Sequence, residues 1–326
     1  MSFIDIYGHD KQIGVLQAAM ARNRVAHAYL FHGIKGIGKR TTALVFAKAL
    51  NCVEGRKEFD ACDKCSSCLK TDHRNHPDVT IIETEGQFIK IREIRDLQNQ
   101  MKFKPFEGGK RIFIIIDADK MNITSANALL KTLEEPSPSN ILILITSRPY
   151  QLPLTVLSRC QHLRFTPLLK EIIVSFLQER VSMVSDSAGV LALSSGGSIG
   201  KALEMSSGAR LTLRSKILTK LSESRMNNHI SVLSFLEEFG KERKGIIDRL
   251  DVLRAFYRDA LVYKETTRTE RLINQDYVDI IRSVADRLSG DDILDNIKIV
   301  NWASNAIDRN VNKALTLEAM AFKINW

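Results

Sequence analysis

The segment Gly33-Ile34-Lys35-Gly36-Ile37-Gly38-Lys39 has the spacing of a phosphate-binding loop, and such a loop dictates what stands on either side of it. A buried strand must lead in and a helix must lead out. His27 to His32 reads as that short strand, and Thr41 to Leu50 as the helix, with Leu44, Ala47 and Lys48 spaced by turns. Glycines at Gly33, Gly36 and Gly38 let backbone N–H groups turn onto phosphate oxygens, and Lys39 adds a positive charge. The next residue ordinarily offers a hydroxyl to Mg²⁺. Here it is Arg40, which cannot ligate a cation. Thr41 and Thr42 follow, but one step along a helix rotates a side chain by about 100°, so neither takes its place. Gly33, Gly36, Gly38, Lys39, Arg40 and Thr41 thus form a degenerate phosphate loop, expected to keep its architecture and to have lost hydrolysis, with ATP or ADP binding left open. A glycine-rich strand-to-helix turn without a ligand is the plain alternative.

Beyond the loop, the runs Arg111 to Ile116, Ser125 to Leu133 and Asn140 to Ile145 alternate strand-like and helical patterns. That alternation argues an α/β fold, a parallel sheet covered by helices. The apolar run Ile112 to Ile116 ends in Asp117-Ala118-Asp119-Lys120-Met121. In nucleotide hydrolases such a strand delivers an Asp for Mg²⁺, often beside a Glu for the attacking water. This chain offers Asp117 and Asp119 but no adjacent acidic pair.

All 7 prolines lie between Pro77 and Pro167, so the last 326 − 167 = 159 residues contain none. That half is expected to be all helical. Leu250, Leu253, Tyr257, Ala260 and Leu261 form one stripe, and Ile280, Ile281, Val284, Ala285 and Leu288 another, at core-facing spacing. Between Thr166 and Ser207 a smaller unit carries two short helical patterns and the turn Gly196-Gly197-Ser198-Ile199-Gly200-Lys201. With 326 residues and 44% apolar content, two or three domains are expected. Lys and Arg exceed Asp and Glu by 47 − 38 = 9, which suits a nucleic-acid or phosphate partner without demanding one. No apolar run approaches the roughly 18 residues of a membrane span, and Met1 to Gly14 lacks a signal-peptide pattern. A soluble cytoplasmic protein without a membrane partner is expected.

Cys52, Cys62, Cys65 and Cys68 follow directly after the loop helix in a C-x9-C-x2-C-x2-C spacing. Closely spaced thiolates in a cytoplasmic protein point to tetrahedral Zn²⁺ rather than to disulfides. Four cysteine ligands leave no position open for water, so the metal should be structural. Arg56, Lys57 and Lys64 would offset the negative charge of the thiolates. An iron–sulfur cluster and free thiols are the alternatives.

The ordered set of Gly33 to Lys39, the four cysteines, Asp117 to Met121, Asn127-Ala128-Leu129-Leu130-Lys131-Thr132-Leu133-Glu134-Glu135-Pro136 and Ser158-Arg159-Cys160 resembles the bacterial DNA polymerase III clamp-loader subunits of the AAA+ superfamily, the delta-prime group above all. The resemblance covers the first 208 residues. The remainder matches in helical character, with Asn310 to Phe322 similar to the end of the family's collar domain.

The resemblance implies a P-loop AAA+ domain over residues 1–166 with a zinc module at about 52–75, a helical lid over 167–208 and an all-helical collar over 209–326. It aligns Ile116 with the metal-binding Asp and Asp117 with the neighbouring Glu, so a second Mg²⁺ ligand is missing. Arg159 falls at the arginine finger that acts in trans on a neighbour's ATP. Thr146 or Ser147 falls at a polar sensor position, and Lys201 where many relatives carry a sensor Arg. The implied partners are gamma or tau motor subunits, the delta subunit, and, through the assembly, the sliding clamp and primed DNA. The implied role is that of a subunit not catalytic by itself within the DNA polymerase III holoenzyme. Two rivals stay open: an active ATPase motor of gamma or tau type, and a zinc-containing DNA-binding protein with a vestigial P-loop.

Overall fold

Apolar residues alternate between the two faces of short strands and so build the sheet. The computed structural model describes residues 1–54, 59–84, 86, 88–107, 109–206, 208–223, 234–309 and 311–326. Five strands, β1 (Ala28–His32), β2 (Val79–Ile82), β3 (Arg111–Ile115), β4 (Asn140–Thr146) and β5 (Gln161–Arg164), form one sheet in the order β2-β3-β4-β1-β5. Every pairing is parallel, with Ala28 beside Leu142, Tyr29 beside Gln161, Val79 beside Ile112 and Arg111 beside Asn140. Parallel strands need crossover connections, which here carry the helices that bury both faces.

The period of two along each strand sorts the core. Tyr29, Phe31, Ile112, Ile114, Ile141, Ile143 and Leu163 pack with Ile13 and Leu16 of α1 (Asp10–Ala21) and Phe46 of α2 (Lys39–Leu50). Ala28, Leu30, Phe113, Ile115, Leu142 and Leu144 pack on the opposite face with Ile94 and Leu97 of α4 (Ile91–Met101), Leu129 and Leu133 of α5 (Ile123–Glu134) and Val156 of α6 (Leu154–Leu157). A short helix, α3 (Ser66–Asp72), lies between α2 and β2 in the chain.

The chain divides into two compact units, Met1–Arg180 with Gly197–Lys201, and Val181–Gly196 with Ala202–Trp326. The stretch between Thr166 and Ser207 holds three helices, not the two expected: α7 (Lys170–Val181), α8 (Ser185–Ser194) and α9 (Ile199–Ser206). The third starts inside the glycine-rich run, because the Ser198 hydroxyl accepts from the Lys201 amide at 3.1 Å and caps the first turn. In the second unit, α10 (Gly208–Glu223), α11 (Arg243–Thr266), α12 (Val278–Arg287), α13 (Gly290–Asp308) and α14 (Lys313–Lys323) follow one another. Both expected stripes lie there: Leu250, Leu253, Tyr257 and Ala260 of α11 and Ile281, Val284 and Leu288 share one core with Val300, Ala303 and Met320. Asn310, where the collar-like stretch was expected to begin, lies outside the described residues, and α14 covers most of the rest. No helix among the described residues is long and apolar enough to cross a membrane.

Candidate functional site

The glycine loop leaves β1 at its C-terminal end and enters α2 at Lys39, two residues earlier than the sequence pattern suggested. Each loop carbonyl finds a donor. Lys39 Nζ donates to Gly33 O at 2.6 Å and Ile34 O at 2.8 Å, Ser198 Oγ to Lys35 O at 2.8 Å, and the Gly200 amide to Gly36 O at 2.8 Å. His9 Nε2 lies 2.9 Å from Ile37 O, and the Thr42 hydroxyl donates to Gly38 O at 3.0 Å. Two glycines are sterically required. A Cβ on Gly33 would stand 2.3 Å from the Phe165 carbonyl oxygen. Gly36 has φ +74°, and a Cβ there would meet Ser198 Oγ at 2.6 Å. Gly38 also lies in the left-handed region, at φ +109°.

The lysine is held inside its own loop. Lys39 is 6% exposed, and burial lowers its pKa to about 8 against the opposing pull of Asp117 and Asp119. Arg40 turns to another partner: its Nη1 pairs with Glu83 Oε1 at 2.7 Å, just past the end of β2. Thr41 is half-buried in the first turn of α2, and Thr42 is buried with its hydroxyl bonded back to Gly38. No hydroxyl therefore stands where Arg40 does.

Just past the end of β3, Ile116 is buried. Asp117 takes a left-handed backbone, φ 51°, and pairs with Lys120 at 3.2 Å. Asp119 Oδ1 accepts from the Thr146 hydroxyl at 2.5 Å. Of the two sensor candidates, buried Thr146 is thus bonded to an acid from the adjacent strand end, while Ser147 is half-buried. Lys201 sits in the first turn of α9, next to the Gly200 amide that holds Gly36.

Arg159 lies at the other end of the sheet. It follows α6 and precedes β5, whose first residue, Gln161, stands beside Tyr29 near the start of β1. In that register Gly33 corresponds to residue 165, so 165 − 161 = 4 residue steps, roughly 13 Å of strand, plus the turn before Gln161 separate the arginine from its own loop. Its Nη1 donates to Thr155 O at 3.0 Å, and its Nη2 lies 2.8 Å from Glu134 Oε1. Burial pushes the neighbouring Cys160 thiol up to about 12, which keeps it an inert packing group.

Cys52, Cys62, Cys65 and Cys68 converge, all four Sγ atoms within 4.8 Å of one another. The Cys52–Cys65 and Cys62–Cys68 separations are 4.0 and 3.8 Å. Four Zn–S bonds of about 2.3 Å in a tetrahedron have edges of roughly 3.8 Å, so the cluster has the dimensions for such an ion. The Cys65 amide donates to Cys62 Sγ at 3.3 Å and the Cys68 amide to Cys65 Sγ at 3.4 Å, bonds that favour thiolates. Burial pushes the Cys65 thiol up, but amide donors from Cys68 and Val53 outweigh it and hold the thiol below its ordinary value, at about 6. The four side chains can hold a metal ion.

Of the three charges expected to balance the thiolates, Arg56 and Lys57 lie outside the described residues and Lys64 is exposed. Buried Lys48, 1% exposed, pairs with Asp63, the residue after Cys62, at 2.5 Å and with Asp72 at the end of α3, so its charge is matched by carboxylates. The pairings Arg40–Glu83, Arg159–Glu134 and Lys48–Asp72, and the clasp of Ser198 and Gly200 on the loop, had no local signal in the sequence. Each joins residues more than twenty positions apart.

Comparison with known proteins agrees with these motifs. Residues 8–169 match the family model described as DNA polymerase III, delta subunit, and residues 209–325 match DNA polymerase III, delta subunit, C terminal. The chain is 32% identical over 302 residues to DNA polymerase III subunit delta' of Bacillus subtilis (strain 168), covering 91% of this chain and 90% of that protein. It is 28% identical to the tau subunit of the same organism, covering 99% of this chain but 61% of that longer protein. Among solved structures it is similar to a DNA polymerase III gamma subunit-related protein of Thermotoga maritima, with 16% identity, a TM-score of 0.46 and coverage of 95% and 97%. The chain belongs to the clamp-loader family of DNA polymerase III subunits.

Proposed function

We propose that this chain is a delta-prime-type subunit of a DNA polymerase III clamp loader, which does not hydrolyse ATP itself and supplies Arg159 to the ATP of a neighbouring gamma- or tau-type subunit. The observation that carries the reading is the placement of Arg159 at the N-terminal end of the parallel strands, with the glycine loop beyond their C-terminal ends. An arginine there does not reach its own loop and is available to another chain. Two further findings support lost hydrolysis. The Mg²⁺ hydroxyl is replaced by Arg40, engaged with Glu83, and the Mg²⁺ carboxylate by buried Ile116. Charge neutralisation by Mg²⁺ carries much of phosphoryl-transfer catalysis, so losing both ligands removes the means of hydrolysis.

Residues 1–166 act as the P-loop AAA+ domain, 167–208 as a lid and 209–326 as the collar that assembles with related subunits. One Zn²⁺ held by Cys52, Cys62, Cys65 and Cys68 stabilises the segment after α2 and takes no part in catalysis. Delta and the motor subunits are the direct partners, and the assembled loader places a sliding clamp on primed DNA in the cytoplasm.

The test is Arg159→Ala in the reconstituted complex. The variant folds and assembles, and turnover at the neighbouring site falls by about 10³ to 10⁵, the range for an arginine finger supplied in trans. Unchanged turnover at that site refutes the reading.

A further inference from the structure

Arg159 does not stand alone at its end of the sheet. Glu134, the last residue of α5, places Oε1 2.8 Å from Arg159 Nη2, while Thr155 O holds Nη1 at 3.0 Å. This is an adverse place for a carboxylate, because the last turn of a helix presents unpaired carbonyls and the negative end of the helix dipole. Glu135 follows with a second negative charge, and Pro136 bars further turns. Helix stability by itself favours a cation at position 134. The guanidinium of Arg159 answers that unfavourable charge.

The pair is also poorly suited to holding the fold together. The side chains of Arg159 and Glu134 are 36% and 51% exposed, and ion pairs open to water contribute little to stability. What the contacts do accomplish is geometric. Nη1 donates to Thr155 O at 3.0 Å and to Ser158 Oγ at 3.4 Å, while the Glu134 carboxylate stands beside Nη2 as an ion-pair partner, so the guanidinium is held by α6 and the residue after it on one side and by the end of α5 on the other. The planar fork is thereby fixed in position and direction, with Nε and Nη2 donors that make no hydrogen bond among the described residues left open to an anion. An arginine without such anchors must surrender rotamer freedom each time it engages.

We propose that Glu134 is a positioning residue for Arg159, holding the guanidinium in the direction needed by a phosphoryl group bound to the adjacent subunit. This deepens the finger reading of Arg159 and rests on it. The experiment uses the assembled clamp loader in which only the site beside this chain keeps its P-loop lysine, with ATP as the probe. Glu134→Ala lowers kcat at that site about two- to fivefold, the size of an exposed ion pair, and leaves KM for ATP unchanged. Glu134→Gln keeps shape and acceptor but not charge, gives a smaller loss, and serves if the alanine variant fails to assemble. The double variant Glu134→Ala with Arg159→Ala is no slower than Arg159→Ala alone, because the carboxylate acts only through the arginine.

Unchanged or increased turnover in Glu134→Ala overturns the proposal, as does a double variant whose losses multiply. A silent Arg159→Ala instead removes the finger reading beneath it. The two failures are therefore separable.

Discussion

At the residue scale, Lys39 shows how the loop braces its own backbone. Its ammonium is spent on the loop's own carbonyls, and burial sets its pKa near 8 against an ordinary 10.5. Below pH 8 both folded and unfolded states carry the proton, and the folded state bears the full penalty of a buried charge. Between pH 8 and 10.5 the folded state releases the proton first, so this side chain makes the protein more stable as pH rises through that window. Denaturant melts across pH 7 to 11 should show a rise in stability relative to Lys39→Met, which lacks the group. On the proposed reading, Arg40→Ser is expected to yield no ATP turnover, because buried Ile116 is aligned with the second Mg²⁺ ligand and offers no carboxylate. Turnover measured with Mg²⁺ present checks it. Gly33→Ala forces a Cβ to within 2.3 Å of a backbone oxygen and should lower stability by about 1–3 kcal/mol in urea melts. The glycines, the lysine and the missing hydroxyl were legible in the sequence because the motif is local. That Lys39 folds onto Gly33 and Ile34, and that Arg40 finds Glu83, was not, since long side chains choose partners that only the tertiary fold brings near.

At the scale of elements, apolar runs announced their own structure. Ile112 to Ile116 and Asn140 to Ile145 became central strands because a strand covered on both faces must be apolar throughout. The segment from Thr166 to Ser207 was harder to read. The sequence of α8, Ser185 to Ser194, mixes small and apolar residues without a clear stripe, and α9 begins among glycines, where only the Ser198 cap marks a helix start. The cysteine module lies between these cases: its spacing predicted convergence, while Lys48, Asp63 and Asp72 emerged only from the fold. Cys62→Ser should reduce bound Zn²⁺ from one equivalent to none by metal analysis. Losing a structural metal ligand is worth several kcal/mol, so Tm should fall on the order of 10 °C.

At the scale of the whole molecule, the reading separates from its rivals by what the isolated chain does. A motor of gamma or tau type hydrolyses ATP in a Lys39-dependent manner, and a vestigial-loop DNA-binding protein shifts DNA by itself with steep salt dependence. The isolated chain is expected to do neither, measured by phosphate release and by gel shift at low salt.

The polarity of the parallel sheet carries a further consequence. With the glycine loop at one end of the strands and Arg159 at the other, the two ends are different surfaces. On the proposed reading, subunits sharing this plan meet head to tail, since an arginine end must face a neighbour's nucleotide end. Head-to-tail contacts continue until a member breaks the series. On the proposed reading, a chain whose arginine end works and whose nucleotide end does not is such a terminus: it completes the site before it, asks nothing of a successor, and so marks where the row stays open.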